Sequence, residues 1–307
     1  MYPTSKIMMI RPASFGYNPE TAGSNAFQKN DPTLFETAKK SAQAEFDSAV
    51  TVLRNAGIEV QVFDDTSAPV KPDAVFPNNW ISLHESGTII LYPMLSEKRR
   101  RERREDIVNV LVKNYSVSRV HDLSASESEG KYLEGTGSIV FDHLHKFAYA
   151  AISPRTNHDL FLNLCSIIGY KPVAFRAADQ NGSEIYHTNV LMCIGSGFAV
   201  ICDEAVTDRK EREQVLSLLR ETGHDVISIS FDQMNSFAGN MILLRNKQEE
   251  DIVVMSESAF SSLGADQNGR LSKYAKLLPL SIPTIETLGG GSARCMIAEN
   301  FLPDKSL

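Results

Sequence analysis

The segment Leu219-Arg-Glu-Thr-Gly-His-Asp-Val-Ile-Ser-Ile-Ser230 reads as the end of a helix, a glycine turn and then a β-strand. Similar helix-to-strand segments cover residues 53–63, 111–120, 164–175 and 274–283. The predicted strands begin near Ile58, Ser116, Lys171, Asp225 and Leu280, at intervals of 58, 55, 54 and 55 residues. A unit that returns at a nearly constant interval indicates a repeat architecture, whose units stack or close into a ring.

A β-hairpin is predicted in each of the first four units, because two apolar stretches flank a short turn there. These hairpins pair residues 80–84 with 88–92, 138–142 with 147–152, 190–194 with 198–202, and 240–244 with 251–255. The fifth unit has a single such stretch, Met296-Ile-Ala-Glu299, and the predicted strand at residues 6–11 can supply the missing partner. We therefore expect the two termini to pair and to close the ring, which also removes exposed sheet edges.

The bulk composition indicates a globular protein with a sizeable core. The chain has 307 residues, of which 42% are hydrophobic and 22% charged, and its net charge is -7. This balance argues against a surface that binds duplex nucleic acid. The charged run at residues 98–106, which follows a helix start at Ser96, is better explained as a solvated helix face. The sequence offers no apolar run near 18 residues and no secretory signal at Met1–Lys6, so we expect a cytoplasmic protein that is not in a membrane.

Five polar residues occupy equivalent positions in the five units. They lie fifteen to eighteen residues after each predicted strand start and are Asp73, Glu134, His187, Asn240 and Cys295. If the units are related by rotation, these side chains meet near one axis. A cysteine, a histidine and two carboxylates that meet in this way form an active site.

Cys295 is the predicted nucleophile. It follows the flexible stretch Gly289-Gly-Gly-Ser-Ala-Arg294, whose glycines allow tight turns and leave amide N–H groups facing a substrate. The alternative is a surface cysteine that stands beside a mobile loop by chance. Three other cysteines lie in apolar patterns typical of buried residues, and no Cys-x-x-Cys pair occurs, so a zinc site is not expected; they are Cys165, Cys193 and Cys202.

His187 is the one histidine in register with Cys295, and its predicted role is general acid toward the leaving group and then general base for water. A lone histidine is more often structural. We give the remaining six that structural interpretation; they are His84, His121, His143, His145, His158 and His224. The alternatives for the two carboxylates are a glycine-flanked turn at Glu134 and an Asx turn at Asp73.

These motifs resemble those of the guanidino-group modifying enzymes of the pentein fold, which include arginine deiminase, dimethylarginine dimethylaminohydrolase, glycine amidinotransferase and arginine dihydrolase. The resemblance covers the whole length and is closest to the citrulline-utilisation hydrolase branch. It rests on Leu133-Glu-Gly, His187, the loop 289–295, Asp73-Ala-Val-Phe and the segment 150–157. It implies an α/β fold: a five-bladed α/β propeller with pseudo-five-fold symmetry, formed by residues 1–307 as one catalytic domain.

The resemblance also implies roles for individual residues. Glu134 and Asp73 correspond to residues that bind the planar substrate group, and Arg155 corresponds to the arginine that holds the substrate carboxylate. Arg99 and Asn25 are further candidates for substrate binding. Neither a metal nor an organic cofactor is expected.

The departures from the family pattern concern charge. Asn78-Asn79 stands where dimethylarginine hydrolases carry Glu-Asp and arginine deiminases carry Arg-Asp. Asn189 stands where arginine deiminases have an acid, and the loop after Glu134 reads Gly-Thr-Gly rather than Gly-Gly-Asp. A cationic guanidinium favours carboxylates, whereas a neutral ureido group needs both a donor and an acceptor, which asparagine provides. The pattern therefore predicts a preference for a ureido group.

The sequence thus predicts a cysteine-dependent hydrolase that converts citrulline or arginine to ornithine through a covalent intermediate. The alternatives are an amidinotransferase, an arginine deiminase or dimethylarginine hydrolase, and a non-catalytic pentein that binds a partner. The expected partner is a small amino acid rather than nucleic acid or a membrane. A homodimer is expected by analogy with relatives.

Overall fold

The structure is a computed structural model that describes residues 2–305. Fifteen strands are found in this range: β1 Lys6–Arg11, β2 Glu59–Asp64, β3 Ile81–Leu83, β4 Thr88–Leu91, β5 Arg119–Asp122, β6 Val140–Asp142, β7 Phe147–Ala151, β8 Lys171–Phe175, β9 Met192–Ile194, β10 Phe198–Ile201, β11 Asp225–Ser228, β12 Ile242–Arg245, β13 Asp251–Ser256, β14 Lys276–Leu280 and β15 Ala298–Glu299.

Helices connect these strands. They are α1 Pro19–Ala22, α2 Ala38–Asn55, α3 Glu97–Arg100, α4 Glu105–Asn114, α5 Gly135–Ser138, α6 His158–Ile168, α7 Thr188–Leu191, α8 Arg209–Glu221, α9 Phe231–Asn235, α10 Glu257–Ser262, α11 Ala265–Leu271 and α12 Pro283–Gly289. None of the helices in residues 2–305 combines the length and apolar character needed to cross a bilayer.

The strands form five separate three-stranded sheets with one shared plan. In each sheet the middle strand is antiparallel to one neighbour and parallel to the strand that follows its helix. The chain is therefore an α/β protein built of five similar units, as the repeat interval predicts. Four of the hairpins lie within the predicted stretches or within one residue of them.

The N-terminal strand pairs with the C-terminal strand. Ile7 lies opposite Glu299 and Met8 opposite Ala298 in an antiparallel pair, while β1 runs parallel to β2 on its other side. The first and last parts of the chain therefore share one sheet, which confirms the predicted pairing of the termini.

The predicted start of β14 was wrong. β14 ends at Leu280, where the sequence predicted its start, because Lys276 and Leu280 pair with the two ends of a stretch of β13. Because Pro279 lies within this strand, the sequence pattern did not indicate a strand there, although an edge strand tolerates proline. The long helix α2 begins at Ala38, after a separate 3-10 turn at Pro32–Leu34 that Asp31 caps.

The core lies between the sheets and the outer helices. The middle strands are buried on both faces, as shown by Met8, Met9, Val253 and Val254. Helix α2 buries one face at helical spacing and packs against β2 and α12. Because every middle strand is enclosed, the chemistry of the protein must reside at strand ends and loops.

Short helical turns before the hairpins bring the polar residues together. Glu134 immediately precedes α5, His187 immediately precedes α7, and Asn78 and Asn79 belong to a 3-10 turn at Pro77–Asn79. Helix α5 contacts both α7 and this 3-10 turn. Three of the five units therefore direct their polar positions to a common region.

Candidate active site

The loop that carries Cys295 depends on its glycines. Helix α12 ends at Gly289 and is capped by Gly290, which has the left-handed conformation with φ 62°. The ring of Phe76 packs so closely that a Cβ at Gly289 or Gly291 would lie 2.8 or 2.9 Å from it. A side chain at either position would therefore force the ring or the loop to shift.

Two asparagine amides face the sulfur of Cys295, which is 5% exposed. The Nδ2 atoms of Asn189 and Asn240 lie 3.4 and 3.3 Å from Sγ. Asn240 is fixed by two further bonds, because Nδ2 donates to the Asn189 carbonyl at 3.0 Å and Oδ1 accepts from the Arg294 amide at 3.1 Å. Donors arranged in this way suit a sulfur that carries negative charge.

His187 and Glu134 form a buried pair. The distance from His187 Nε2 to Glu134 Oε2 is 2.8 Å, and the other carboxylate oxygen accepts from the Leu95 amide at 3.0 Å. Both oxygens of Glu134 are thus engaged by the protein, and the side chain is fully buried. The carboxylate stands behind His187 and does not line the cavity described below.

The protonation of this pair follows from its neighbours. Burial tends to raise the pKa of Glu134, but Arg155, the His187 hydrogen bond and Arg99 together hold it well below its usual range. Burial lowers the pKa of His187 to about 4, despite the opposing effect of Glu134. The histidine is therefore neutral at neutral pH. Because an ionised carboxylate only accepts, the ring proton belongs on Nε2 and the lone pair on Nδ1.

Arg99 organises the other side of the site. Its guanidinium makes a bidentate pair with Glu102, with two distances of 3.0 Å. A further N–H donates to Asn79 Oδ1 at 2.9 Å, while Asn79 Nδ2 reaches the Glu134 carbonyl at 3.4 Å. Both the oxygen and the nitrogen of the Asn79 amide therefore already have partners in the protein. Asn79 is less available to bind a ureido group than the sequence pattern suggested.

Asp73 offers a free acceptor. Asn18 donates to its Oδ2 at 2.6 Å and Arg99 Nε lies 3.8 Å from the same oxygen. The other oxygen is buried without a hydrogen-bond partner, and the residue lines the cavity. Burial raises the pKa of Asp73, although Arg99 and Asn18 oppose this. An unsatisfied buried carboxylate oxygen at a cavity indicates a position for a substrate N–H group.

Arg155 and Asn25 connect the N-terminal segment to the site. Arg155 donates to Ser24 Oγ at 2.6 Å and to the Thr21 carbonyl at 3.2 Å, and its guanidinium lies over the Tyr186 ring. Asn25 Nδ2 reaches the Gly290 carbonyl at 3.3 Å. These bonds hold the segment that contains α1 against the loop 289–295, which carries Cys295.

These groups enclose a cavity of about 20 Å³, which is room for roughly one water molecule. Binding of an amino acid therefore requires one of the lining segments to move. Most predicted site residues line the cavity, but Glu134, Asn78 and Asn189 do not. The full lining is Thr21, Asn25, Asp73, Phe76, Asn79, Arg99, Arg155, Tyr186, His187, Gly289, Gly290, Gly291 and Cys295.

The sequence assigned no role to several residues that the structure brings to the site. Asn240 stood in repeat register, so that signal could have identified it as a partner of Cys295. Tyr186, Phe76 and Asn18 had no such signal, because their contribution depends on how loops pack against each other.

The fold is similar to those of several solved structures. The substrate-bound N-terminal domain of a cysteine-to-serine variant of ArgZ, an arginine dihydrolase from the ornithine–ammonia cycle in cyanobacteria, matches with a TM-score of 0.73 and 16% identity over 97% of this chain and 99% of that domain. Unliganded AgrE matches with a TM-score of 0.76 and 16% identity over 98% of this chain. A cysteine-to-serine variant of the Pseudomonas aeruginosa DDAH in complex with citrulline matches with a TM-score of 0.67 and 14% identity, over 95% of this chain and 98% of that one.

This chain spans 41% of the full length of ArgZ and 40% of AgrE. A comparison with the sequences of curated proteins found no match. The sequence profile of the family described as "N,N dimethylarginine dimethylhydrolase, eukaryotic" matches residues 11–302. The chain therefore belongs to this family, within the pentein guanidino-modifying superfamily.

Proposed function

We propose that this family member is a cysteine-dependent hydrolase that acts on the guanidino group of a small amino acid of the arginine type. The observation that carries the proposal is the set of groups around one small cavity. Cys295 Sγ faces two amide donors, His187 is held neutral by burial with its lone pair on Nδ1, and Asp73 has a free oxygen. These are a nucleophile, a proton carrier and an acceptor for a planar cation.

The proposed first step forms a bond between the Cys295 sulfur and the central carbon of the guanidino group. Neutral His187 takes the thiol proton and becomes an imidazolium that the Glu134 carboxylate stabilises. The C–N bond to the leaving nitrogen then breaks, and that nitrogen departs as an amine with the proton from His187. The product of this step is a thio-linked intermediate on Cys295.

In the proposed second step, water attacks the same carbon and gives a proton to His187. The C–S bond breaks, the sulfur returns to the two asparagine donors and takes the proton back from His187, and the product carries a ureido group. Glu134 acts in both steps through His187, because both of its oxygens are engaged by protein groups.

The groups that line the cavity suit an amino acid with a cationic end group and a carboxylate. Asp73 is a buried carboxylate in this lining, and Arg99 and Arg155 are buried cations. A guanidinium would meet the free oxygen of Asp73, and Arg155 is the proposed partner of the substrate carboxylate. Asn25, Asn78 and Asn189 are proposed to complete the binding region. The ureido product could re-enter the same cycle, in which a second ammonia leaves, water adds to the same carbon, and the resulting N-carboxylated product loses CO2 to give ornithine.

A second candidate substrate is an N,N-dimethylated arginine, in which dimethylamine leaves instead of ammonia. The match of residues 11–302 to the dimethylarginine hydrolase family favours it. The structural similarity to ArgZ, an arginine dihydrolase, favours arginine and citrulline. An amidinotransferase would share the first step and replace water with an acceptor amine.

The test is a product assay on the purified full chain. Arginine, citrulline and dimethylarginine are supplied separately, with and without glycine, and ammonia, dimethylamine, citrulline and ornithine are measured. We expect amine release from at least one of the guanidino substrates, abolished by Cys295→Ala and retained by Cys165→Ala, which changes a buried cysteine in α6. Turnover that survives Cys295→Ala, or no turnover of any of the three, contradicts the proposal. A product that appears only with glycine identifies an amidinotransferase.

We further propose that the five sheets are the blades of a closed propeller with pseudo-five-fold symmetry and that residues 1–307 form one catalytic domain. The shared sheet of the two termini and the plan common to all five sheets support this. A homodimer and a cytoplasmic location stay predictions.

A further inference from the structure

Two histidines and an aspartate lie together where the third and fourth sheets meet. Asp142 ends β6, His145 lies in the turn before β7, and His224 directly precedes β11. Strand β6 packs beside β9 of the neighbouring sheet. One possible ligand atom from each of the three side chains lies within 4.8 Å of the others. None of these residues lines the cavity that contains Cys295.

His224 presents a buried nitrogen without a partner. Its side chain is 0% exposed, and Nδ1 contacts the Leu219 carbonyl at 3.2 Å and Thr222 Oγ1 at 2.9 Å. A carbonyl can only accept, so Nδ1 carries a proton, and in the neutral ring Nε2 carries the lone pair. Nε2 makes no hydrogen bond and lies 3.9 Å from Asp142 Oδ2. The carbonyl of Gly195 also lies near this ring.

In the neutral ring the lone pair of His224 therefore points toward a carboxylate, which is unfavourable unless a proton or a metal ion lies between them. Asp142 is 2% exposed and also contacts His145, whose Nδ1 lies 2.9 Å from Oδ2. Tyr149, on the strand paired with β6, buries a hydroxyl that likewise has no partner. Two unpartnered polar side chains thus accompany one buried carboxylate.

We propose that Asp142, His145 and His224 bind a divalent transition metal ion of the zinc class. Imidazole nitrogens and a carboxylate are ligands that zinc commonly takes. Two ligand atoms on tetrahedral zinc lie about 3.3 Å apart, given bond lengths of about 2.0–2.1 Å, and the distances of 2.9 and 3.9 Å here lie on either side of that value. Binding displaces the proton that His145 shares with Asp142.

The groups around the three proposed ligands also resemble those of a metal site. A metal-binding histidine usually donates its other ring N–H to a carbonyl, which fixes the tautomer, and His224 does this toward Leu219. The side chain of His145 is 37% exposed, so solvent can reach the site and supply a fourth ligand. The sequence alone favoured a structural role for both histidines, because their convergence requires the fold.

The ion would join two neighbouring sheets. Asp142 and His145 come from the hairpin of the third sheet, and His224 comes from the helix-to-strand turn of the fourth. Because an ion that binds only the folded state stabilises it, the site acts as a clamp between these sheets and not as a part of the cysteine chemistry.

The test uses the full chain with Cys295→Ser, so that the reactive thiol cannot bind the added metal. Metal-free protein is titrated with Co²⁺ and separately with Zn²⁺, and binding is followed by calorimetry, by visible d–d absorption of Co²⁺ and by the melting temperature. We expect one equivalent to bind, with absorption typical of four-coordinate Co²⁺ and a raised melting temperature.

His145→Ala is the first variant, because its partly exposed side chain can be removed with little effect on folding. We expect it to weaken metal binding by about 100-fold or more, and His224→Gln to do the same. His158→Ala is the matched control, since this histidine is 51% exposed beside Asp159 in α6 and should leave binding unchanged. Absence of binding at millimolar Co²⁺ and Zn²⁺, or one equivalent that persists in His145→Ala, overturns the proposal.

Discussion

The protein contains two histidine–carboxylate pairs of nearly equal length that stand in different surroundings. His187 and Glu134 are 2.8 Å apart with side chains 5% and 0% exposed, while His145 and Asp142 are 2.9 Å apart with side chains 37% and 2% exposed. Two arginines and Cys295 lie near the first pair, and a second histidine faces the second pair. The geometry of the pair alone therefore does not define its chemistry.

The group that lies beside each histidine–carboxylate pair decides what chemistry the pair can perform. Beside a cysteine and a cavity, a neutral histidine with a carboxylate behind it can carry a proton between sulfur, leaving group and water. Beside a second imidazole with a free lone pair, the same unit offers three ligands for a metal ion. Paired substitutions at both sites test this difference directly.

Replacement of the two histidines should have the largest effect on turnover. We expect His187→Gln to lower kcat by about 10³-fold, because it removes the proton carrier of both steps. His145→Gln should change kcat by less than about twofold, because His145 does not line the cavity. Steady-state kinetics on the best substrate measure both. Equal losses in the two variants would contradict the separation of roles.

Replacement of the two carboxylates, Glu134 and Asp142, should produce a smaller difference in kcat between the two sites. Glu134→Gln removes the charge that stabilises the imidazolium, so the pKa of His187 falls further below about 4 and kcat falls by about 10²-fold with little change in KM. Asp142→Asn should leave both constants unchanged and abolish Co²⁺ binding. A Glu134→Gln variant that changes only KM would indicate that Glu134 contacts the substrate directly.

The amide donors at Cys295 should contribute less than the histidine. Asn240→Ala removes one N–H at 3.3 Å from the sulfur and loosens the backbone of Arg294, and we expect kcat to fall by about 10- to 100-fold. Asn246→Ala serves as a control, because Asn246 is also buried but bonds only within its own turn. The rate of Cys295 alkylation should fall with kcat. An unchanged alkylation rate would remove Asn240 from the activation of the thiol.

A fourth histidine, His84, sharpens the comparison, because it is buried and its hydrogen bond is to a serine rather than to a carboxylate. His84 contacts Ser82 Oγ at 2.7 Å, and burial lowers its pKa to about 4. The pKa of His84 in the folded protein lies below the ordinary histidine value of about 6.5. The contribution of His84 to the free energy of unfolding is therefore complete above pH 6.5 and is lost as the pH falls toward 4. This contribution is at most about 3 kcal/mol. Denaturant unfolding between pH 7 and 5 should show a shallower loss for His84→Gln than for wild type; parallel curves would contradict this assignment.

The smallest expected effect concerns substrate preference. Asn79→Asp keeps an acceptor for Arg99 but loses the bond of Nδ2 to the Glu134 carbonyl. Added negative charge near the cavity should shift the ratio of kcat/KM for arginine over citrulline upward by about tenfold or less. The assay compares both substrates on the same preparation. A ratio that stays constant would count against the role of charge at this position.

Much of the architecture could be predicted from the sequence because its periodicity is strong. The hairpin stretches, the pairing of the two termini and the five equivalent polar positions all follow from apolar spacing and the repeat interval. The start of α2 and the bounds of β14 could not, because a 3-10 turn and Pro279 interrupt the local patterns.

The site was less accessible to sequence reasoning. Repeat register predicted that Asp73, Glu134, His187 and Cys295 lie together. It could not reveal that Glu134 contacts His187 from the side away from the cavity, or that Arg99 donates a hydrogen bond to Asn79. Both depend on how three loops pack. The same holds for the cluster of His145 and His224, whose residues are distant in sequence and meet only where two sheets touch.

The proposed mechanism depends on a covalent bond between Cys295 and the substrate carbon. The most direct measurement is rapid acid quenching during turnover, followed by mass spectrometry of the protein digested into peptides. We expect a transient added mass on the peptide that contains Cys295, matching the substrate minus the leaving amine and absent in Cys295→Ser. Turnover without any such adduct, at a rate that Cys295→Ser retains, would contradict it.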